Sequence, residues 1–331
     1  MNILITGITG FVGSHMADFL LNKNKINKIY GIVRRRSDIT NIKHLFKNDM
    51  INIIDCDLLD GGSLMNLIEI SKPDIIFHFA AQSFPGISFK SPIITLNTNI
   101  IGTTNLFEVI KKARDNNICD PVIISVSSSE VYGIVYENEI PISENNPIRA
   151  ANPYSISKVG HDLMSQYYHK AYGLKIIVTR MFSHEGARRG KEFAISSFAH
   201  QIVKHEKSIN FPNNSPYGIL HGNLDSIRTY LHIDDAVQAY WLCSEITKYG
   251  EIYNIGGNES STIGEILDIL IEKSKFPRVF IKKINNDNIR ATDITLQIPD
   301  SSKFREETGW FPEKSIINIC DDLLYYWRKE L

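Results

Sequence analysis

Seven residues near the N-terminus narrow the fold of this chain more than any other feature. Gly7-Ile8-Thr9-Gly10-Phe11-Val12-Gly13 reads G-x-x-G-x-x-G. It follows the apolar run 2–6 at once and leads into residues 12–22, where apolar side chains recur at helical spacing. A strand, a glycine turn and a helix in that order form the phosphate-binding unit of a parallel α/β sheet. Gly7 permits a tight turn, Gly10 lets the backbone approach a pyrophosphate, and Gly13 lets the helix pack closely. A purely structural glycine turn is the alternative, and the order of the three elements argues against it.

The chain then repeats the theme. Ile29–Val33, Ile51–Ile54, Asp74–Phe79, Pro121–Val126 and Leu174–Arg180 are short apolar runs. Helical stretches such as Gly62–Ser71 and Thr98–Asn116 separate them. Buried parallel strands read as continuous Val/Ile runs, so the pattern predicts an α/β fold with a Rossmann doubly wound parallel sheet. After about residue 183 the rhythm changes, and Gly, Asn, Pro and Ser cluster over 207–226. A smaller C-terminal mixed α/β substrate lobe is expected there. The expected division is 1–182 for the dinucleotide-binding domain and 183–331 for the second lobe, with segments around 230–255 returning to the first.

Composition limits the class. The 331 residues are 43% hydrophobic and 22% charged, which excludes a disordered chain or a coiled coil. A net charge of −1 provides no field that would draw the chain to nucleic acid or a membrane surface. No apolar run reaches the roughly 20 residues of a bilayer span. Four dispersed cysteines and the absence of a basic n-region suggest reduced thiols and a cytoplasmic location.

The end of the second strand bears on cofactor choice. An NAD-preferring loop carries an acid there. This chain has Val33 followed by Arg34-Arg35-Arg36-Ser37, with no carboxylate for the ribose 2′-hydroxyl. Guanidiniums suit a 2′-phosphate, so the loop leans toward NADP, with NAD the alternative. A solvated basic turn or an oligomer contact is the other reading. Asp57 and Leu58 are positioned for the adenine edge, or as a turn acid and its neighbour. Thr9, Phe11, Val12, Ala80, Ala81 and Gln82 complete the expected cofactor set.

Tyr154 and Lys158 form a Y-x-x-x-K pair that shares one helix face. An ammonium beside a phenol favours phenolate, which can take a proton from a sugar hydroxyl. Upstream, Ser127-Ser128-Ser129-Glu130 stands at the carboxyl end of the fifth strand, where ligands bind in such sheets.

On Gly7, Gly10, Gly13, Ser128, Tyr154 and Lys158 the chain resembles the extended short-chain dehydrogenase/reductase superfamily over nearly its whole length. That resemblance implies a Rossmann domain with a nucleotide-sugar lobe, and a proton-transfer triad of Ser128, Tyr154 and Lys158. Phe182–Gly190 resembles the F-N-H-E-x-x-R-R-G segment of GDP-mannose 4,6-dehydratases. Gly222–Arg228 resembles the G-N-L-x-x-x-R segment shared with GDP-4-keto-6-deoxymannose reductases. Asp235–Trp241 and Ile142–Pro147 resemble the reductases. Arg228 with Asn223 is expected at a pyrophosphate. Arg188 and Arg189 are expected at the diphosphate, the cofactor or a partner subunit, and Ser83, Ser129, Ser183 and Glu185 at the substrate.

Three positions depart from the dehydratase pattern. Ser183 replaces an Asn, Ser83-Phe84-Pro85-Gly86 replaces S-H-V, and Ser197 replaces a Lys. In the dehydratases the residue matching Glu130 removes the C5 proton. In the reductases a matching glutamate serves no elimination. The Phe84-Pro85 change favours net oxidation or reduction at C4 of a GDP-activated manno-configured hexose or heptose. A 4,6-dehydratase is the alternative, and a non-catalytic NADP-binding sensor the remote one. No metal is expected, since His184-Glu185 and His232-x-Asp234-Asp235 lack ligand spacing. The resemblance implies a homodimer or homotetramer through the Tyr154 helix or the basic loop.

Overall fold

The computed structural model describes residues 1–208, 216–289 and 292–331. Seven strands form one parallel sheet: β1 (Asn2–Thr6), β2 (Lys28–Val33), β3 (Ile51–Asp55), β4 (Ile75–His78), β5 (Val122–Val126), β6 (Ile176–Met181) and β11 (Ile252–Ile255). Their order is β11-β6-β5-β4-β1-β2-β3. Since β1 pairs with both β2 and β4, the connection reverses direction there. A crevice opens at the carboxyl ends of the strands at such a switch point, and ligands bind in it.

Helices cover both faces. α1 (Phe11–Leu21) and α8 (Ile233–Cys243) pack together on one side, burying Met16, Leu20, Val237 and Tyr240 against β1, β4 and β6. On the other side lie α2 (Gly61–Ser71), α5 (Gly102–Asp115) and α6 (Pro153–Tyr172), whose Leu64, Leu106, Phe107 and Tyr168 share a core with Leu4, Ile76 and Ile123. β11 pairs with β6, so residues 252–255 belong to the main sheet although residues 183–208 lie outside it.

Two short helices, α3 (Pro85–Lys90) and α4 (Pro92–Leu96), lead into α5. The helix expected over 98–116 differs at its start, where residues 97–101 form a wider π turn. Asn99 explains it. Its amide donates to the Gln82 carbonyl and the Ser157 hydroxyl, and its Oδ1 accepts from the Gln82 amide.

The second lobe is built from α7 (Ala194–Glu206), α9 (Ile263–Glu272) and α11 (Ile316–Glu330), which share a core of Phe198, Ile202, Leu267, Leu270, Ile319 and Leu323. Small sheets flank it. β7 (His184–Glu185) pairs with β10 (Leu231–His232), and β8 (Tyr217–His221) with β13 (Phe280–Ile284). β9 (Ile227–Thr229) lies between β12 (Ser260–Thr262) and β14 (Leu296–Gln297). α10 (Ser302–Thr308) packs on β11. Part of the Gly/Asn/Pro/Ser cluster, residues 209–215, lies outside the described residues. Among the described residues no helix is long and apolar enough to cross a membrane.

Candidate active site

A cleft of about 1130 Å³ runs between the sheet edge and the second lobe. Single small-molecule sites occupy about 300–1,000 Å³, so there is room for two ligands side by side. The glycine loop forms one wall. Gly7 has φ +74°, and a Cβ on it would stand 2.8 Å from the Ala80 amide nitrogen. A Cβ on Gly13 would collide with the Gly7 carbonyl. Gly10 caps α1 without a side-chain hydrogen bond, so the first amides of the helix remain free for an anion. This cradle fits a dinucleotide pyrophosphate.

Thr9, Phe11, Val12, Asp57, Leu58, Ala80 and Ala81 line the same end of the cleft. Gln82 does not. Its side chain donates to the Phe84 carbonyl and its backbone is gripped by Asn99. The local role of Gln82 is therefore to shape the 80–84 turn. Arg34 lines the cleft, and Arg34, Arg35, Arg36 and Ser37 enclose a side cavity beside it. Asp55 and Asp57 line that cavity too. The expectation that no carboxylate waits there holds for β2 alone. β3 runs parallel to β2 and brings two acids to its end, Val33 lying opposite Asp55.

Two of the groups expected to react stand on α6. Asn152 caps this helix by accepting from the Ser155 amide, and Pro153 occupies its first turn. Tyr154 and Lys158 are both buried and both line the cleft. Burial pushes the Tyr154 phenol well above its ordinary value, and the Glu130 carboxylate adds to this. The Ser128 hydroxyl, by hydrogen bond, and the Arg189 guanidinium oppose it. Lys158 donates to the Val126 carbonyl at 2.6 Å, and burial brings its ammonium down to about 8 against the pull of Asp162. The cation that acts on the phenol is thus Arg189 from the second lobe, while Lys158, expected there from spacing, donates to the Val126 carbonyl.

Ser128 caps a short turn over residues 129–131 by accepting from the Glu130 amide. The turn points Ser128, Ser129 and Glu130 into the cleft. Glu130 Oε2 accepts from the Asn152 side-chain amide at 3.0 Å. Ser83 lies at the exposed rim, where Phe84 meets Phe193 edge to face at 5.4 Å.

The 183–190 segment supplies the charged groups of the opposite wall. Ser183, Glu185 and Arg189 line the cleft. Burial pushes the Glu185 carboxyl up to about 7, with Arg189 opposing. Arg189 Nε stands 3.6 Å from Glu185 Oε1, too long for a hydrogen bond. Its guanidinium lies 3.5 Å over the Phe193 ring and 5.0 Å over Phe11. Glu185 Oε2 and Arg189 Nε are buried without hydrogen-bond partners among the described residues. Arg188 does not line the cleft, and its guanidinium pairs with Asp18 of α1 at 2.7 Å. Arg188 has a left-handed φ of +66°, and the two neighbouring arginines have different partners, Asp18 for one and the Phe193 ring for the other.

Asn223 and Arg228 line the far end of the cleft. Asn223 Nδ2 donates to Asp293 Oδ2, and Arg228 Nη2 to the Ile294 carbonyl. The sequence reading missed Asp55, Phe193 and Tyr240. Tyr240 is fully buried on α8, lines the cleft and carries a hydroxyl without a hydrogen-bond partner among the described residues.

The comparisons agree with this geometry. The family model for GDP-mannose 4,6 dehydratase matches residues 4–323. A GDP-mannose 4,6-dehydratase of Yersinia enterocolitica is 27% identical, covering 97% of this chain and 92% of its own length. A dTDP-D-glucose 4,6-dehydratase of Dictyostelium discoideum is 32% identical over 77% of this chain and 58% of its own. Among solved structures, UDP-glucose 4-epimerase of Thermotoga maritima with UDP-glucose superposes with a TM-score of 0.85 at 25% identity, covering 100% of this chain and 99% of that one. RMD from Pseudomonas aeruginosa with NADPH shares the fold at a TM-score of 0.80 and 24% identity, with 100% of both chains covered. The chain therefore belongs to the GDP-mannose 4,6 dehydratase family of extended short-chain dehydrogenases/reductases and is an NAD(P)-dependent nucleotide-sugar-modifying enzyme.

Proposed function

We propose that the enzyme is a GDP-sugar 4,6-dehydratase acting on a manno-configured hexose or heptose, with NADP as the preferred cofactor. The observation that carries this reading is the match of the GDP-mannose 4,6 dehydratase family model over residues 4–323, and Glu130, in the same cleft as Tyr154 and held by the cap of its helix, is a carboxylate available for the elimination. Net oxidation or reduction at C4, expected from the Phe84-Pro85 wall, needs no second base, whereas elimination does. The names of the curated relatives support the dehydratase as well.

The glycine loop and the residues at that end of the cleft would hold a nicotinamide dinucleotide, which would supply the hydride chemistry for oxidation at C4 and reduction at C6. Tyr154, bonded by Ser128, takes the C4 hydroxyl proton. Arg189 favours the phenolate that does so. Lys158 keeps a positive charge beneath the same site. Glu130 removes the C5 proton as the C6 hydroxyl departs as water. Ser83, Ser129 and Ser183 hold sugar hydroxyls, and Arg228 with Asn223 the diphosphate. Exposed Ile93, Ile101, Ile156, Leu163 and Tyr167 around α4 to α6 offer an apolar face for a homodimer or homotetramer.

Incubation with GDP-mannose or GDP-manno-heptose and NADP⁺, followed by mass spectrometry, tests the reading. The expected product is lighter by one water with no reduced cofactor accumulating. A product lighter by two hydrogens with accumulating NADPH overturns it in favour of a C4 dehydrogenase.

A further inference from the structure

Two imidazoles lie stacked in the layer between the sheet and helices α5 and α6. His78 ends β4 and His161 stands on α6, one turn beyond Lys158. Their ring centroids are 5.4 Å apart and their planes nearly parallel. Both are buried, and every ring nitrogen meets a hydroxyl. His78 Nδ1 lies 2.8 Å from Thr6 Oγ1 and Nε2 2.9 Å from Thr103 Oγ1. His161 Nδ1 lies 3.0 Å from Thr103 Oγ1 and Nε2 2.8 Å from Ser125 Oγ.

The hydroxyl between the rings sets the proton order. Thr103 Oγ1 donates to the Asn99 carbonyl at 2.8 Å. A hydroxyl has one proton, so toward both imidazoles Thr103 accepts. His78 therefore carries its proton on Nε2 and His161 on Nδ1. The remaining nitrogen of His78 accepts from Thr6, and that of His161 faces Ser125 Oγ, which also meets Ser165 Oγ at 2.7 Å. Burial and the nearby Lys158 charge keep both rings neutral.

The two ends of this chain of bonds lie under the reacting parts of the cleft. At one end Thr6 Oγ1 accepts from the Ala80 amide at 3.1 Å, directly beneath the glycine loop. At the other, Ser125 precedes Val126, whose carbonyl receives Lys158. His161–Ser125 and Lys158–Val126 are thus adjacent rungs joining α6 to β5. Apolar side chains would fill this layer with less desolvation cost. A buried polar network instead specifies one relative placement of the elements it joins.

We propose that His161 is a positioning residue for the Tyr154–Lys158 pair. Through Thr103 and His78 it locks α6 to Thr6 and Ala80 beneath the dinucleotide loop, and through Ser125 it aligns the strand carbonyl that holds Lys158. Only the kinetic readout rests on the dehydratase reading.

The test compares His161→Phe, which keeps a flat ring, with His161→Asn, which keeps a polar group at the Nδ1 position. In His161→Phe, kcat with GDP-mannose is expected to fall roughly tenfold to a hundredfold, the usual consequence of small misplacement. The Kd values for NADP⁺ and GDP should stay at the wild-type level, and His161→Asn should recover part of kcat. An unchanged kcat overturns the proposal, as does a loss shared equally by kcat, both Kd values and Tm. If His161→Phe fails to fold, Ser125→Ala removes the β5 rung together with the Ser125–Ser165 bond, and the same split is expected. If the wild-type enzyme leaves GDP-mannose unchanged, the functional reading fails instead. The network is then read by histidine ¹⁵N NMR of the full chain. Neutral rings with His78 Nε2–H and His161 Nδ1–H are expected, and reversed tautomers or an imidazolium at neutral pH overturn the proposal.

Discussion

The Asn152 side chain joins two functions in one residue: its Oδ1 caps α6 and its Nδ2 donates to Glu130 Oε2 at 3.0 Å. The helix that carries Tyr154 therefore also orients the carboxylate across from it. Glu130→Gln keeps an oxygen for Asn152 and removes the base. Loss of water should slow by about 10²–10⁴-fold, the usual contribution of a positioned base, while C4 oxidation persists. Mass spectrometry of a single turnover decides it. Elimination at the wild-type rate would assign the base to another residue.

Arg34 and Arg35 share their cavity with Asp55 and Asp57. If the guanidiniums hold a 2′-phosphate, Arg34→Ala with Arg35→Ala weakens NADP⁺ by about tenfold or more, the worth of a hydrogen bond to a charged group, and leaves NAD⁺ nearly unaffected. Fluorescence titration with each cofactor measures the two constants. Equal losses for both would show that the loop does not read the phosphate.

Burial raises Glu185 from its ordinary 4.5 to about 7, so between those values the folded chain binds more protons than the unfolded one. The stability this carboxyl contributes is full below about 4.5 and is lost as pH rises through about 7. The span corresponds to about 3 kcal/mol. Glu185→Gln should flatten the fall in Tm across that window in a calorimetric series. A Gln variant whose Tm falls with pH as steeply as the wild type would remove Glu185 as the source.

Arg180 donates to both oxygens of Asp162, at 2.9 and 3.1 Å, in a layer where neither is more than 3% exposed. Asp162→Ala strands the guanidinium. Its cost is expected near 3–5 kcal/mol, read by urea denaturation. A loss below about 1 kcal/mol would mean that the Tyr132 and Glu144 contacts of Arg180 suffice.

What the sequence determined by itself is local. The glycine spacing, the apolar runs of β1 to β6 and the i, i+4 placement of Tyr154 and Lys158 follow from backbone sterics and helical period, which neighbouring residues set among themselves. The packing of distant segments decided the rest. Parallel pairing of β2 with β3 carries Asp55 to the arginine loop. Arg188 pairs with Asp18 of α1 while its neighbour Arg189 lies over Phe193. Tyr240 reaches the cleft only because α8 packs on α1 beside β11 and β6. The stack of His78 on His161 exists because β4 and α6 bury the same layer, and no periodicity records which buried residues from separate elements will meet.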